Sequence, residues 1–355
     1  MKVTSFRSGL LVSVALLLAV GMVVAGCCTK AVEPAVSVEP VKFAEAATPV
    51  EPQVFATEED KKLAAEFRAL YPKRNPVILR ESFNFVDAET LEKFVRILEG
   101  KEGTNEGGLG YIRGAIGNLV NQMKASQGFK GPETLTIAKA PSKITVDANL
   151  SDAAWKAAKP ITAWYTLNSG TTPEKDMQKT SLRILWDKEN LYFAFEADDV
   201  TLDSPRFDRD GPIYNHDCFE IFILPSTRWN LYWELEFNVA GSIMDNLCYK
   251  ILDRWGGHNR MEETMEGLQF AYRVMEKDGK STGYVMEIAV PFRELPGFGE
   301  VKPGATFHML ACRVDTAPKD PKTGAQAHPM RLLTSTPCFA WFHSVACYQP
   351  VVLGE

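Results

Sequence analysis

The chain has 355 residues, 45% of them hydrophobic and 24% charged, a balance that buries a core and excludes a disordered chain, a collagen or a polytopic membrane protein. Its 39 Lys and Arg stand against 45 Asp and Glu, a formal charge of -6. With no basic excess to neutralise phosphates, nucleic acid is not an expected partner. The length points to two domains rather than one or four.

Lys2 and Arg7 precede an apolar run from Gly9 to Gly26 that only Ser13 interrupts. A basic start, an apolar middle and a small-residue end describe an export signal; the run is short for a spanning helix. Val24-Ala25-Gly26-Cys27 resembles a bacterial lipobox, in which the Cys is acylated and becomes the new N-terminus. The resemblance implies a signal peptide over 1–27, lipidation at Cys27, and a mature protein outside the cytoplasm whose only membrane contact is its lipid. A plain secreted protein and an uncleaved anchor are the alternatives. Cys28, in place of an Asp after the acylated position, points to the outer membrane of the cell envelope. Six cysteines follow Cys27, an even number that permits disulfides in an exported chain. Several of them sit in strand-like runs, where a small buried hydrophobe is expected.

Residues 28–56 carry Pro34, Pro40, Pro49 and Pro52 with no helical or alternating period, and read as a tether. A small helical region follows over 57–130. Thr57 with Asp60 forms a capping box, and Leu63, Phe67 and Leu70 mark one face. Asp87 is placed to cap a second helix carrying Leu91, Phe94, Val95 and Leu98, with Gly100 beyond its end. Ile112, Ile116, Leu119 and Met123 mark a third. Gly107, Gly108 and Gly110 before it lack the Lys-Ser or Lys-Thr of a phosphate loop and read as a flexible connection.

From Lys143 the period changes to short alternating runs. Strands are expected at 144–146, 181–186, 191–197, 218–224, 232–239, 268–276, 284–290 and 306–314, with a helix-like interruption at 152–158. Runs at this spacing, with little helical period between them, predict a mainly β fold over 131–355, an antiparallel β-sandwich. Trp155 is expected to plug one end of it. Asp147 and Asp152 flank a turn where carboxylates accept backbone N–H groups. Glu220 differs from its neighbours in Phe219-Glu-Ile-Phe-Ile-Leu224: a bare carboxylate there is costly, so it has either a fixed partner or a concave binding surface to face.

Four segments in order carry a family resemblance: Ile144-Thr-Val-Asp-Ala-Asn-Leu-Ser-Asp-Ala-Ala-Trp155, Ile184 to Phe195, Asp217-Cys-Phe-Glu-Ile-Phe222, and Tyr232 to Gly241. Together, over about residues 136 to 355, they resemble carbohydrate-binding module family 9. The resemblance implies a sugar gripped by two aromatic rings, Tyr214 and Trp341 with Phe342 as the alternative, and bonded by Glu220. Where a sugar-bonding Arg is expected the Tyr232 strand offers Glu236. Arg313 is then the substitute donor, or the partner of Glu236. Relatives carry structural calcium, which the acidic stretch from Asp198 to Asp210 suits through Asp208 and Asp210.

Neither a glycosidase motif nor a G-x-S-x-G elbow appears, and the helical region is too short for a catalytic barrel. The expected function is non-catalytic binding of polysaccharide or oligosaccharide in support of glycoside hydrolases. The alternative is a haem-binding or purely structural sandwich, the haem reading resting on His216, Met244, His308 and Met309.

Overall fold

A computed structural model describes residues 53–74, 88–170, 172–175, 178–228, 231–250, 258–261, 263–339 and 341–355. The signal segment with Cys27 and Cys28, most of the tether and Asp87 lie outside the described residues.

Among the described residues three helices come first: α1 (Glu58–Leu70), α2 (Ala88–Leu98) and α3 (Glu106–Ala125). Thr57 caps α1 through the box read from the sequence, with its Oγ1 accepting the Asp60 N–H and Asp60 accepting the Thr57 N–H. Phe67, Leu91, Val95, Leu98, Ile112 and Ile116 make the core between the helices. The glycines are not a connection ahead of α3. Asn105 caps that helix by accepting the Gly108 N–H at 2.6 Å, so Gly107, Gly108 and Gly110 fall inside its first turns. A Cβ on Gly108 would lie 2.6 Å from Thr104 Oγ1 and 2.7 Å from Asn105 Oδ1, so the close cap requires glycine there. Among the described residues no helix is long and apolar enough to cross a membrane.

Thirteen strands follow among the described residues. The first, β1 (Leu135–Lys139), pairs parallel with both β13 (Gln349–Leu353) and β3 (Thr180–Trp186), and so joins two layers. One layer continues from β13 through β11 (Thr306–Asp315), β5 (Cys218–Leu224), β6 (Leu231–Phe237) and β7 (Ile243–Lys250) to β8 (His258–Met261). The short β12 (Arg331–Thr334) also pairs with β11 and carries β2 (Tyr165–Thr166). The second layer runs from β3 through β4 (Asn190–Asp198) and β10 (Lys280–Pro291) to β9 (Gln269–Lys277). All pairings except the two of β1 are antiparallel. Between the layers Phe195 of β4 stacks on Phe219 of β5 at 4.1 Å, with Trp164 edge-on to Phe195.

Residues 144–146 are not a strand. Ile144 is buried with Trp155 and Tyr192 in a small core at one end. Trp155, on a 3-10 turn (Ala153–Ala157), donates its indole N–H to Glu287 Oε1 at 2.8 Å. Glu287 Oε2 accepts the N–H groups of Asp147 and Ala148, both at 2.9 Å, holding Ala148 and Leu150 in left-handed backbone. Asp147 and Asp152 accept backbone N–H groups as the turn chemistry requires, from Asn149 and Thr145. This end of the sandwich is therefore structural.

Candidate functional site

Strand parity builds the site. On β5 the residues Phe219, Ile221 and Ile223 enter the inter-layer core, so Cys218, Glu220, Phe222 and Leu224 point the other way. On β6 the inward set is Trp233, Leu235 and Phe237, which puts Tyr232, Glu234 and Glu236 outward. Register then sets Glu220 opposite Glu236 on one side and Cys312 of β11 on the other. This outer face is covered rather than bare. The segment from Cys338 to Tyr348 lies over it, burying Cys338, Phe342, Cys347 and Tyr348 against Phe222, Tyr232 and Cys248.

Between that cover and the sheet lies a cavity of about 620 Å³. Tyr214, Trp341 and Phe342 line its walls, and Glu220, Glu234 and Glu236 line it from the strands. Met330, Asn215 and His343 complete the polar and soft edge. Two of the rings are strongly exposed, Tyr214 at 40% and Trp341 at 56%, while Glu220 is 2% exposed. Trp341 lies nearly parallel to Phe342, with an interplanar angle of 22°, so the indole is stiffened by a buried neighbour. Tyr214 stands on a 3-10 turn (Ile213–Asn215) whose buried Ile213 anchors it. Asp217, just beyond, accepts N–H groups from Asp203 and Thr316 at 2.6 Å each and ties the turn to both flanking segments. Burial, reinforced by Asp199, pushes the Asp217 carboxyl up to about 8.

Tyr214, Glu220, Trp341 and Phe342 thus meet in one cavity. Arg313 does not meet them. It pairs with Phe219 rather than Glu220 across β5 and β11, so its side chain enters the inter-layer side. There it donates to Thr180 Oγ1 at 2.6 Å and approaches Asp199 at 3.4 Å and Asp315 at 3.5 Å, with its partners buried like itself. Its expected partner Glu236 faces the other way. Asp208 and Asp210 are exposed, and Asp210 Oδ1 accepts the Asp245 N–H at 3.1 Å. Of the residues suggested for haem, Met309 faces the inter-layer core and Met244 the outer cluster, so the two do not meet.

Glu234 and His343 were missed in the sequence. The signal for Glu234 was present, since Tyr232, Glu234 and Glu236 alternate against Trp233, Leu235 and Phe237 in one strand. His343 sits in a segment with no period, where parity gives no guide.

These features define the class: a two-layer β-sandwich with a ring-lined, carboxylate-floored cavity on the outer face of one sheet, the architecture of a binding module. The family model described as carbohydrate family 9 binding domain-like matches residues 146–324, and the chain belongs to that family. No curated protein matches it. Among solved structures, it is similar to a putative carbohydrate-binding protein from Bacteroides uniformis, at 12% identity and a TM-score of 0.48, over 62% of this chain and 99% of that one. It is also similar to a carbohydrate-binding module family 9 from Caldicellulosiruptor kristjanssonii in complex with cellotriose. There the identity is 11% and the TM-score 0.41, over 63% of this chain and 94% of that one.

Proposed function

We propose that the protein is a non-catalytic glycan-binding module, and that the cavity between Tyr214, Trp341 and Glu220 receives the sugar. Family membership supports the ligand class. The observation that carries the site is the meeting of two exposed rings and a buried carboxylate in one cavity of sugar-sized volume. A pyranose presents C–H faces that stack on aromatic planes, and hydroxyls that need directional acceptors. A carboxylate is the stronger acceptor, and removing it leaves hydroxyls unpaired. We extend the proposal to an exported chain held at the outer membrane through Cys27, serving glycoside hydrolases that break down polysaccharide. A structural calcium on Asp208 and Asp210 belongs to the same reading.

Calorimetry with soluble oligosaccharides tests the site. Trp341→Ala and Tyr214→Ala each weaken binding by about 1 to 3 kcal/mol, roughly tenfold to a hundredfold. Glu220→Gln costs a similar amount with the fold intact, because the amide keeps the size and one acceptor. Unchanged affinity in both ring variants, at an unchanged melting temperature, removes the sugar from this cavity.

A further inference from the structure

A second ligand chemistry is built into the same outer face. Glu234 of β6, Cys248 of β7 and His343 of the covering segment bring a carboxylate, a thiol and an imidazole nitrogen within 4.8 Å of one another. Glu234 and Cys248 lie on the consecutive paired strands β6 and β7, and His343 reaches them from far along the chain, so no local turn chemistry explains its arrival. His343 Nε2 lies 3.2 Å from Glu234 Oε1, and the Cys248 thiol donates to Glu234 Oε2 at 3.6 Å. Bond lengths of about 2.0 Å to nitrogen or oxygen and 2.3 Å to sulfur set ligands roughly 3.3 to 3.8 Å apart around a tetrahedral ion. The sulfur contact falls in that range and the imidazole contact lies just below it, each to a different oxygen of Glu234.

We propose that Glu234, Cys248 and His343 bind a divalent transition metal, zinc by donor chemistry, with its fourth position open to the cavity. Nitrogen, thiolate sulfur and carboxylate oxygen form a set that suits zinc and disfavours calcium or magnesium, which want oxygen alone. Three protein ligands with one open position is the arrangement of reactive rather than purely structural zinc sites. Here the open position faces the cavity because Glu234 and His343 both line it, whereas Cys248 is fully buried beneath.

The surrounding contacts fit the metal-bound form as well as the metal-free one. Without metal, two hydrogens point at one glutamate. With metal, the ion takes their place: the thiol gives up its proton to solvent, and the imidazole carries its hydrogen on Nδ1. That nitrogen lies 2.9 Å from the Tyr232 hydroxyl, which accepts the hydrogen and fixes the tautomer. A polar partner on the non-ligating nitrogen is what orients a metal-bound histidine. Tyr232 itself is buried and edge-on to Tyr348, so it holds its position.

The test uses the full chain, stripped of metal and titrated with cobalt(II) in the absence of any sugar, so that its outcome is separate from that of the glycan reading. The expected result is one equivalent bound, with a thiolate-to-cobalt charge-transfer band in the near ultraviolet and intense tetrahedral d–d absorption in the visible. Zinc displaces both, and one proton is released per metal. Cys248→Ser abolishes the charge-transfer band. His343→Gln, on a covering segment where folding is least at risk, weakens cobalt binding at least tenfold, and Tyr232→Phe weakens it less. Cys312→Ser, a thiol on the same face outside the triad, leaves the spectrum unchanged. A charge-transfer band that survives Cys248→Ser, one lost equally in Cys312→Ser, or none at excess cobalt overturns the proposal. If Cys248→Ser does not fold, His343→Gln decides: unchanged cobalt affinity in a protein of unchanged melting temperature is equally fatal.

Discussion

Arg313 and Glu220 differ by one step of strand parity, and that step separates a charge buried between the layers from one that faces the cavity. Arg313 lies against Thr180, Asp199 and Asp315 with no exposed surface, so its guanidinium is the counter-charge of two buried carboxylates. Removing one partner of a buried ion pair strands the others and costs about 3 to 5 kcal/mol. Arg313→Met is therefore expected to lower the melting temperature sharply while leaving sugar affinity unchanged at a temperature where the variant is folded. Weakened sugar binding in well-folded Arg313→Met would reassign the residue to the site. The sequence could not place it. Leu310-Ala-Cys-Arg-Val314 is apolar on both sides of the arginine, so no alternation marks which face is which. Glu220 was legible for the opposite reason: a lone carboxylate in an apolar run has few ways to be stable. Five cysteines, Cys218, Cys248, Cys312, Cys338 and Cys347, are buried together in the outer cluster, as the small-hydrophobe reading of strand cysteines expects.

Element by element, the strands that carried both a strong period and a turn at each end were readable. The 218–224 strand has the same bounds in sequence and structure, and those at 181–186, 191–197 and 306–314 shift by a residue or so. Those missed were short or mixed. β12 has four residues, β13 contains Pro350, and β7 interleaves Asp245 and Asn246 with Met244 and Leu247 because both of its faces meet polar partners. In the helical region the capping box was readable, but its second duty was not. Asp60 is also the ion-pair partner of Arg113 on α3, and the guanidinium together with the Thr57 N–H holds its carboxyl at about 2. A carboxylate whose folded value lies below its unfolded one contributes stability above pH 4, and loses it as pH falls towards 2. With Arg113 partly solvated, the contribution is about 1 to 2 kcal/mol. Helical melting followed by circular dichroism should show that loss between pH 5 and 2, and Asp60→Asn should flatten it. A pH profile identical in the variant would mean the pair contributes nothing.

At the scale of the molecule, a ring contact links the stretch after α3 to the segment over the cavity. Phe129, just past α3, meets the buried Phe339 edge-on at 4.9 Å. Phe339 sits at the start of the covering segment that carries Trp341, Phe342 and His343, and Cys338 O accepts the Asn168 N–H at 2.9 Å beside it. An ordered segment spares the sugar the entropy of fixing it. Phe129→Ala is expected to weaken sugar binding about threefold to tenfold with little change in melting temperature. Equal affinity in that variant would mean the segment needs no support from the helices. The separation of a helical region, 57–130, from a sandwich, 131–355, was drawn from the change of period. We retain it as a proposal, with limited proteolysis near 126–135 as its natural probe.

The double parallel pairing of β1 bears on the order of events when the chain folds. Among the described strands β1 comes first and its neighbour β13 last, and Gln349 Nε2 donates to the carbonyl of Glu133 across 216 residues. Joining the two layers through β1 therefore requires a contact between segments 216 residues apart. Contacts of such sequence separation form slowly, and until β13 arrives the edges of β1 and β11 that it pairs with are open. Residues 349–355 carry β13: their deletion should leave a protein that aggregates once released from a chaperone, even though every residue lining the cavity is still present.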